Sequence, residues 1–216
     1  MSTAHTAFLD YVLPHVPGCT NEMALLEIKS TIIEFCEKSL ILQTDHDPIA
    51  AIAGVIDYDL EPPKDKLVVR VMKAWYKGQE LEEMAPDDID TPSVYNQNSG
   101  YHVHRGDPTE FFQKDARTFS VYPIPNETVR QSITLRVALK PTRSATTIDD
   151  LIYEEYAETI GSGAISRLAL SPGKPYSNPQ LASAHHALYH AGLNVARDRA
   201  QNGYVRASRH VKMRRI

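Results

Sequence analysis

Between residues 148 and 204 two consecutive segments carry apolar side chains at helical spacing, joined by a proline-punctuated link, and no other stretch limits the fold so tightly. In the first, 149–170, Ile152, Tyr156, Ile160, Ala164 and Leu168 recur every four residues. That spacing stacks them on one side of a 3.6-residue helix. Thr147-Ile148-Asp149-Asp150 reads as a capping box with Asp in place of the usual Glu, which marks the start. Ser171-Pro172-Gly173-Lys174-Pro175 is the stop. Asn178 then offers an N-cap oxygen, and Pro179 suits the first helical position, where no N–H is needed. The second segment carries Leu181, Ala184, Leu188, Ala191 and Val195 at steps of three and four, and Asn202-Gly203 supplies a left-handed stop. Two seams and a short link predict an antiparallel helical hairpin.

Gly161, Gly163, Ala164 and Ala191 lie near these seams. A mid-helix glycine costs about 1 kcal/mol against alanine. Close approach between helices would offset that cost, so a tight core explains these residues better than a ligand site. Residues 4–13 predict a short helix with Phe8, Val12 and Leu9 inward, ended by Pro14 and Pro17-Gly18. A longer helix is predicted from Asn21 to about Ser39, with Leu25, Ile28, Ile32 and Phe35 as its seam. That third seam needs a partner, and the C-terminal hairpin is the obvious one. Each large apolar side chain buried there is worth about 1.5–3 kcal/mol.

The expected fold class is therefore α+β. Both ends of the chain, residues 1–40 and 148–204, build one helical bundle. Residues 41–147 form an inserted, small antiparallel β-domain, a sandwich or barrel of roughly five or six strands. Strand signals within it are 51–60, the alternating Leu67–Met72 run, Phe111-Phe112, 119–122 and 133–139. Glu61-Pro62-Pro63-Lys64-Asp65 and Lys77-Gly78-Gln79 read as turns, and Pro123, Pro125 and Asn126 as breakers. Residues 91–107 read as a long polar loop. Residues 205–216 are expected to form an extended C-terminal arm.

Composition narrows the class. Of 216 residues, 42% are hydrophobic and 23% charged, which fits a globular chain with a real core. A formal charge of −4 argues against a protein coated in nucleic acid. No apolar run approaches a membrane span, and Met1-Ser2-Thr3-Ala4-His5 lacks the basic-then-apolar pattern of a secretory signal. Cys19 and Cys36 have no CxxC spacing; Cys36 reads as a buried thiol and Cys19 as a turn residue.

No catalytic constellation emerges. His186 and His190 are spaced to chelate a metal, with His185 beside them, but Ala187 stands where an HExxH motif needs its glutamate. His102 and His104 with Asp107 lack an ordered scaffold. Gly173-Lys174 is no phosphate loop, since Pro175 follows the lysine. Glu80, Glu82, Glu83, Asp87, Asp88 and Asp90 read as a solvated acidic face rather than paired catalytic carboxylates. Neither a metal nor a cofactor is expected, and the chain reads as no enzyme.

The last stretch is different. Arg206, Arg209, Lys212, Arg214 and Arg215 are interleaved with Val211, Met213 and Ile216, with no acid among them. This end is incidental charge, a nucleic-acid contact through counterion release, or a segment that inserts into an acidic groove on a protein partner. The apolar residues between the charges favour the last over plain phosphate binding. The acidic 80–90 stretch and the basic end also suit head-to-tail contacts in an oligomer.

Several motifs together resemble the head–tail adaptor (connector) proteins of tailed bacteriophages. They are Gly161-Ser162-Gly163-Ala164-Ile165-Ser166-Arg167-Leu168, Ser171 to Tyr176 with Asn178-Pro179, and a helix ending Ala196-Arg197-Asp198-Arg199-Ala200. Nearer the start, Pro17-Gly18 and then Ile33-Glu34-Phe35-Cys36-Glu37-Lys38-Ser39 resemble that family's first long helix. Tyr58-Asp59-Leu60 resembles its early hairpin, and Leu139-Lys140-Pro141-Thr142 with Ala145-Thr146 the strand that leads into the helical hairpin. Tyr176 departs from the pattern, where tryptophan is expected after Gly-Lys-Pro.

The resemblance implies a structural virion protein of the phage neck, between capsid vertex and tail, assembled in the host cytoplasm. Its partners would be the portal protein, a tail or nozzle protein, and further copies of itself in a ring of about twelve. DNA would pass through the channel without specific binding, and no membrane is involved. Arg206, Arg209, Val211, Lys212, Met213, Arg214, Arg215 and Ile216 would form the portal-binding arm. The alternative is a nucleic-acid-binding protein that uses the same basic end.

Overall fold

The structure, a computed structural model, describes residues 2–85 and 104–203. It is mixed α+β, and the described residues fall into two compact units. One lies within Met1–Ile41 and Thr147–Ile216, the other within Leu42–Thr146. The expected arm at 205–216 and most of the expected loop, residues 91–103, lie outside the described residues.

The first unit begins with strand β1 (Ser2–Ala4), a 3-10 turn at His5–Phe8, the one-turn helix α1 (Leu9–Val12) and a second 3-10 turn at Leu13–His15. Pro14 tightens that last turn instead of continuing the helix. Phe8 and Val12 are fully buried, as the spacing predicts, and Leu9 is half-buried. Helix α2 spans Asn21–Ser39, and the Thr20 hydroxyl accepts from the Met23 N–H at its start. Leu40 ends it in the left-handed region, with φ 57°. Its buried side chains are Ala24, Ile28, Thr31, Ile32, Phe35, Cys36 and Ser39; Leu25 is half-buried.

The chain returns to this unit at Thr147. Helix α3 is Asp150–Ala169, and helix α4 is Pro179–Asn202. The capping box expected at Thr147 does not form. Thr147 is already committed to the short strand Thr147–Asp149, which pairs antiparallel with β1, Ser2 opposite Asp149 and Ala4 opposite Thr147. The hydroxyl that reaches α3 is Thr3's, donating to Asp150 Oδ1 at 2.5 Å. A partner so far away in sequence leaves no local signal. The start of α4 follows the sequence closely: Asn178 Oδ1 accepts from the N–H groups of Gln180 and Leu181, both at 3.1 Å, and Pro179 is the first helical residue.

Helices α2, α3 and α4 pack on one another. Phe35 meets the Tyr156 ring at 5.1 Å and the Tyr189 ring at 6.5 Å, while Phe8 meets Tyr153 edge-on at 5.1 Å. The predicted α3 seam of Ile152, Tyr156, Ile160, Ala164 and Leu168 is buried throughout. Gly163 lies where α3 is closest to both neighbours. A Cβ there would stand 2.5 Å from Thr31 Cγ2 of α2 and 2.7 Å from Tyr189 Cδ2 of α4. Gly192 of α4 likewise lies against Thr159 of α3. Charged side chains tie the periphery: Arg167 pairs with Glu34 and, at 3.6 Å, Glu27; Arg197 donates to the Lys38 carbonyl; Arg199 pairs with Glu155.

The second unit is built on strands. In chain order they are β2 (Gln43–Asp45), β3 (Ile49–Ala51), β4 (Asp57–Asp59), β5 (Lys66–Tyr76), β6 (Gln79–Glu80), β7 (Glu82–Glu83), β8 (Arg105–Gly106), β9 (Glu110–Gln113), β10 (Thr118–Tyr122), β11 (Ile124–Pro125) and β12 (Val129–Pro141). Strand β13 is the Thr147–Asp149 segment of the first unit. The long β12 pairs antiparallel with β5, β2 and β3. A second sheet runs β4-β10-β9-β7. Most pairings are antiparallel, but β7 runs parallel to β9 and β8 parallel to β11, each over two residues. Lys77 and Gly78, both at positive φ, turn β5 into β6, as Gly at a two-residue hairpin predicts. The single strand expected over 51–60 is divided. Gly54 at φ 80° turns the chain, and its N–H donates to the Pro125 carbonyl. Phe111, Phe119, Val121, Ile133, Leu135, Val137 and Leu139 fill the interior.

Candidate interaction surfaces

Helix α4 has two apolar stripes, and the structure buries the one that spacing did not favour. Ala182, Tyr189, Leu193 and Ala196 face inward. The expected seam is turned out: Leu188 is 59% exposed, Val195 is 51% exposed, Ala184 and Ala191 are exposed, and Leu181 is half-buried. The physical reason is the fit against α2 and α3. Tyr189 supplies the large ring that meets Phe35, and Gly192 supplies the gap into which Thr159 fits. The alternative seam offers neither. From Pro179 to Ala196 the helix contains no Asp, Glu, Lys or Arg. A solvent-facing helical surface normally carries charge, and depletion of charge is the compositional mark of a protein–protein interface.

The histidines fall in different settings. His186 Nε2 and His190 Nε2 approach to 3.1 Å on the outer side of α4, a pair able to grip a metal from two sides. Among the described residues no group of three or more His, Cys, Asp or Glu side chains could hold a metal. His185 lies 5.2 Å from the His15 ring and 3.3 Å from Ser162 Oγ; burial and then His15 hold it toward the neutral form. His5 is buried, and burial followed by the Lys29 ammonium pushes its pKa down to about 4. His104 leans on the Tyr122 ring, while His102 lies outside the described residues.

The acidic stretch is in part a face of ion pairs. Glu80 bonds Lys73 at 2.9 Å and Glu83 bonds Arg70 at 2.6 Å, all exposed; Asp87, Asp88 and Asp90 lie outside the described residues. Exposed pairs of this kind are worth about 0–1 kcal/mol. Asp107 and Glu127 both reach Lys77 Nζ, and the Glu127 bond first, then Asp107, hold that ammonium charged. An open groove of about 650 Å³ runs beside Val69, Arg70, Glu83, Met84, Phe111 and Gln113. Arg70 and Glu83 are paired across it, and Gln113 Oε1 accepts from the Val71 N–H, so its polar groups are engaged with one another. Cys36 is buried and Cys19 half-buried, and neither forms a disulfide.

Arg206, Arg209, Val211, Lys212, Met213, Arg214, Arg215 and Ile216 all lie outside the described residues. The surface that sequence reasoning missed is the outer stripe of α4. Its signal was present in the chain, as two competing stripes and an uncharged run, and the larger ring of Tyr189 decides between them. No described helix is long and apolar enough to cross a membrane. The chain has no match among curated proteins. The fold carries the elements expected from the adaptor resemblance, a long first helix and a helical hairpin opened by Asn178-Pro179. The SU10 adaptor protein family model matches residues 23–212, and the chain belongs to that family of phage adaptor structural proteins.

Proposed function

We propose that this protein is the head-to-tail adaptor of a tailed phage, docking on the portal, extending the DNA channel and offering the attachment surface for a tail or nozzle protein. The family match over residues 23–212 carries this reading. Its place is the neck of the virion, after assembly in the host cytoplasm. About twelve copies form the ring. The helices from both chain ends, 1–40 and 148–204, are its body as one bundle, and 41–147 is the inserted β-domain.

The arm, 205–216, reaches the portal through Arg206, Arg209, Lys212, Arg214 and Arg215, with Val211, Met213 and Ile216 as apolar anchors. One arm offers only a short contact and binds weakly by itself. Copies held in one ring act together through effective concentration. DNA crosses the channel without being gripped, which suits a chain of net charge −4. The work is structural, with no turnover and no cofactor. Imaging of the purified protein mixed with the portal of its virion tests this: a ring on the portal is expected, and a portal that remains bare refutes it.

A further inference from the structure

We infer that the outer stripe of α4 is one half of the joint between neighbouring copies, and that the outer stripe of α2 is the other half. This rests on the ring reading above. On α4, Leu181, Leu188 and Val195 are spaced by seven, with Ala184 and Ala191 between them, giving steps of three and four. A narrow stripe with that repeat is what one helix shows to another in a coiled coil. On α2, Met23, Leu26, Ser30 and Ile33 step three, four, three. Leu26 is 56% exposed and Met23 36% exposed, while Ser30 and Ile33 are half-buried. The larger Met23, Leu26 and Ile33 offer knobs for the holes at Ala184 and Ala191.

The two stripes point in different directions. Leu26 lies opposite the buried Ile28–Phe35 face of its own helix. Leu188 sits about 100° around α4 from Tyr189. It is on the side of Gly192 and Arg199, which meet α3, and away from Arg197, which reaches α2. The halves therefore cannot meet within one copy. They can meet only between copies, and head-to-tail repetition of that contact is the arrangement that closes into a ring. The joint is small. The α2 stripe runs about 15 Å along a helix about 10 Å across, on the order of 150 Å², well short of the ~800 Å² per partner that a stable pair needs. A single joint is thus weak, and assembly depends on ring closure or on a template.

The test uses the full-length chain with Cys19→Ser, assembled on the portal of its virion and treated with a short bis-maleimide. Leu26→Cys and Leu188→Cys on the same chain are expected to give a ladder of covalent multimers, and either alone none. Covalent dimers from Leu188→Cys alone would mean that α4 meets α4, and would overturn the inference. Leu188→Glu is expected to lower the fraction assembled on the portal by roughly tenfold or more, with an unchanged melting temperature. If wild type and Leu188→Glu form rings equally well, the joint lies elsewhere while the ring reading stands. If the wild type forms no ring, the ring reading fails and this inference with it.

Discussion

Replacing Gly163 by alanine tests how the three long helices are held. In most exposed helical positions that change stabilises by about 1 kcal/mol, since glycine is the poorer helix former. Here the new methyl would stand 2.5 Å from Thr31 Cγ2 and 2.7 and 3.0 Å from the Tyr189 ring. Carbon atoms rest at about 3.5–4.0 Å, so α2 or α4 must retreat by about 1 Å. Neither retreats freely. Thr31 is fully buried, with its hydroxyl donating to the Glu27 carbonyl at 2.7 Å, and Tyr189 is buried against Phe35. Overpacking of this kind costs about 1–3 kcal/mol, which outweighs the propensity gain at its upper end. The expected net loss is up to about 2 kcal/mol. In a unit of this size each kcal/mol lowers the melting temperature by about 4–8 °C. Thermal and urea melts read the effect. Thr31→Ser removes Cγ2 and keeps the hydroxyl, so it should recover part of the loss in the double variant, a coupling of about 0.5 kcal/mol or more. A Gly163→Ala protein that melts higher than wild type would refute the close approach of the helices.

Other perturbations follow from the same packing. Tyr189→Ala should cost about 3–5 kcal/mol in urea melts while Leu188→Ala costs under about 0.5; the reverse order would mean that α4 is rotated. Acid should weaken the first unit. His5 is neutral in the fold, with a pKa of about 4 against an ordinary 6.5, so the unfolded chain binds its proton first. The stability that goes with neutral His5 is complete above pH 6.5 and lost as pH falls toward 4. The loss is at most about 3 kcal/mol. A His5→Leu variant should flatten that part of the pH–stability curve, and an unaltered slope would count against the buried imidazole. Zinc titrated into the protein should bind His186 and His190 weakly at most, since two nitrogens leave half a tetrahedral shell to water; a tight stoichiometric site would contradict the geometry.

Much of the helical unit was legible because its signals are local. The α3 seam repeats every four residues without competition, and Asn178-Pro179 marks the start of α4 through side chain and ring geometry alone. What failed depends on partners distant in sequence. Thr147 looked like a cap because the strand Ser2–Ala4, which claims it, lies at the other end of the chain. The α4 stripe was misread because Leu181, Leu188 and Val195 repeat more cleanly than Ala182, Tyr189 and Leu193. The choice between them rests on Phe35 and Thr159 of neighbouring helices. The run at 51–60 was divided by a turn at Gly54 that is tied to Pro125 across the unit. For the interaction surfaces, the charge pattern was visible from Pro179 to Ala196, but which side of the helix it faced was not.

The most direct test of the adaptor account is the mass of the complex formed by the full-length protein with its portal, compared with a chain lacking 206–216. The expected result is a monomer that becomes a ring on the portal, and a truncated chain that remains apart from it. A protein that ignores the portal, yet shifts DNA in a salt-dependent way that disappears with residues 206–216, would contradict it and make the basic end a nucleic-acid contact.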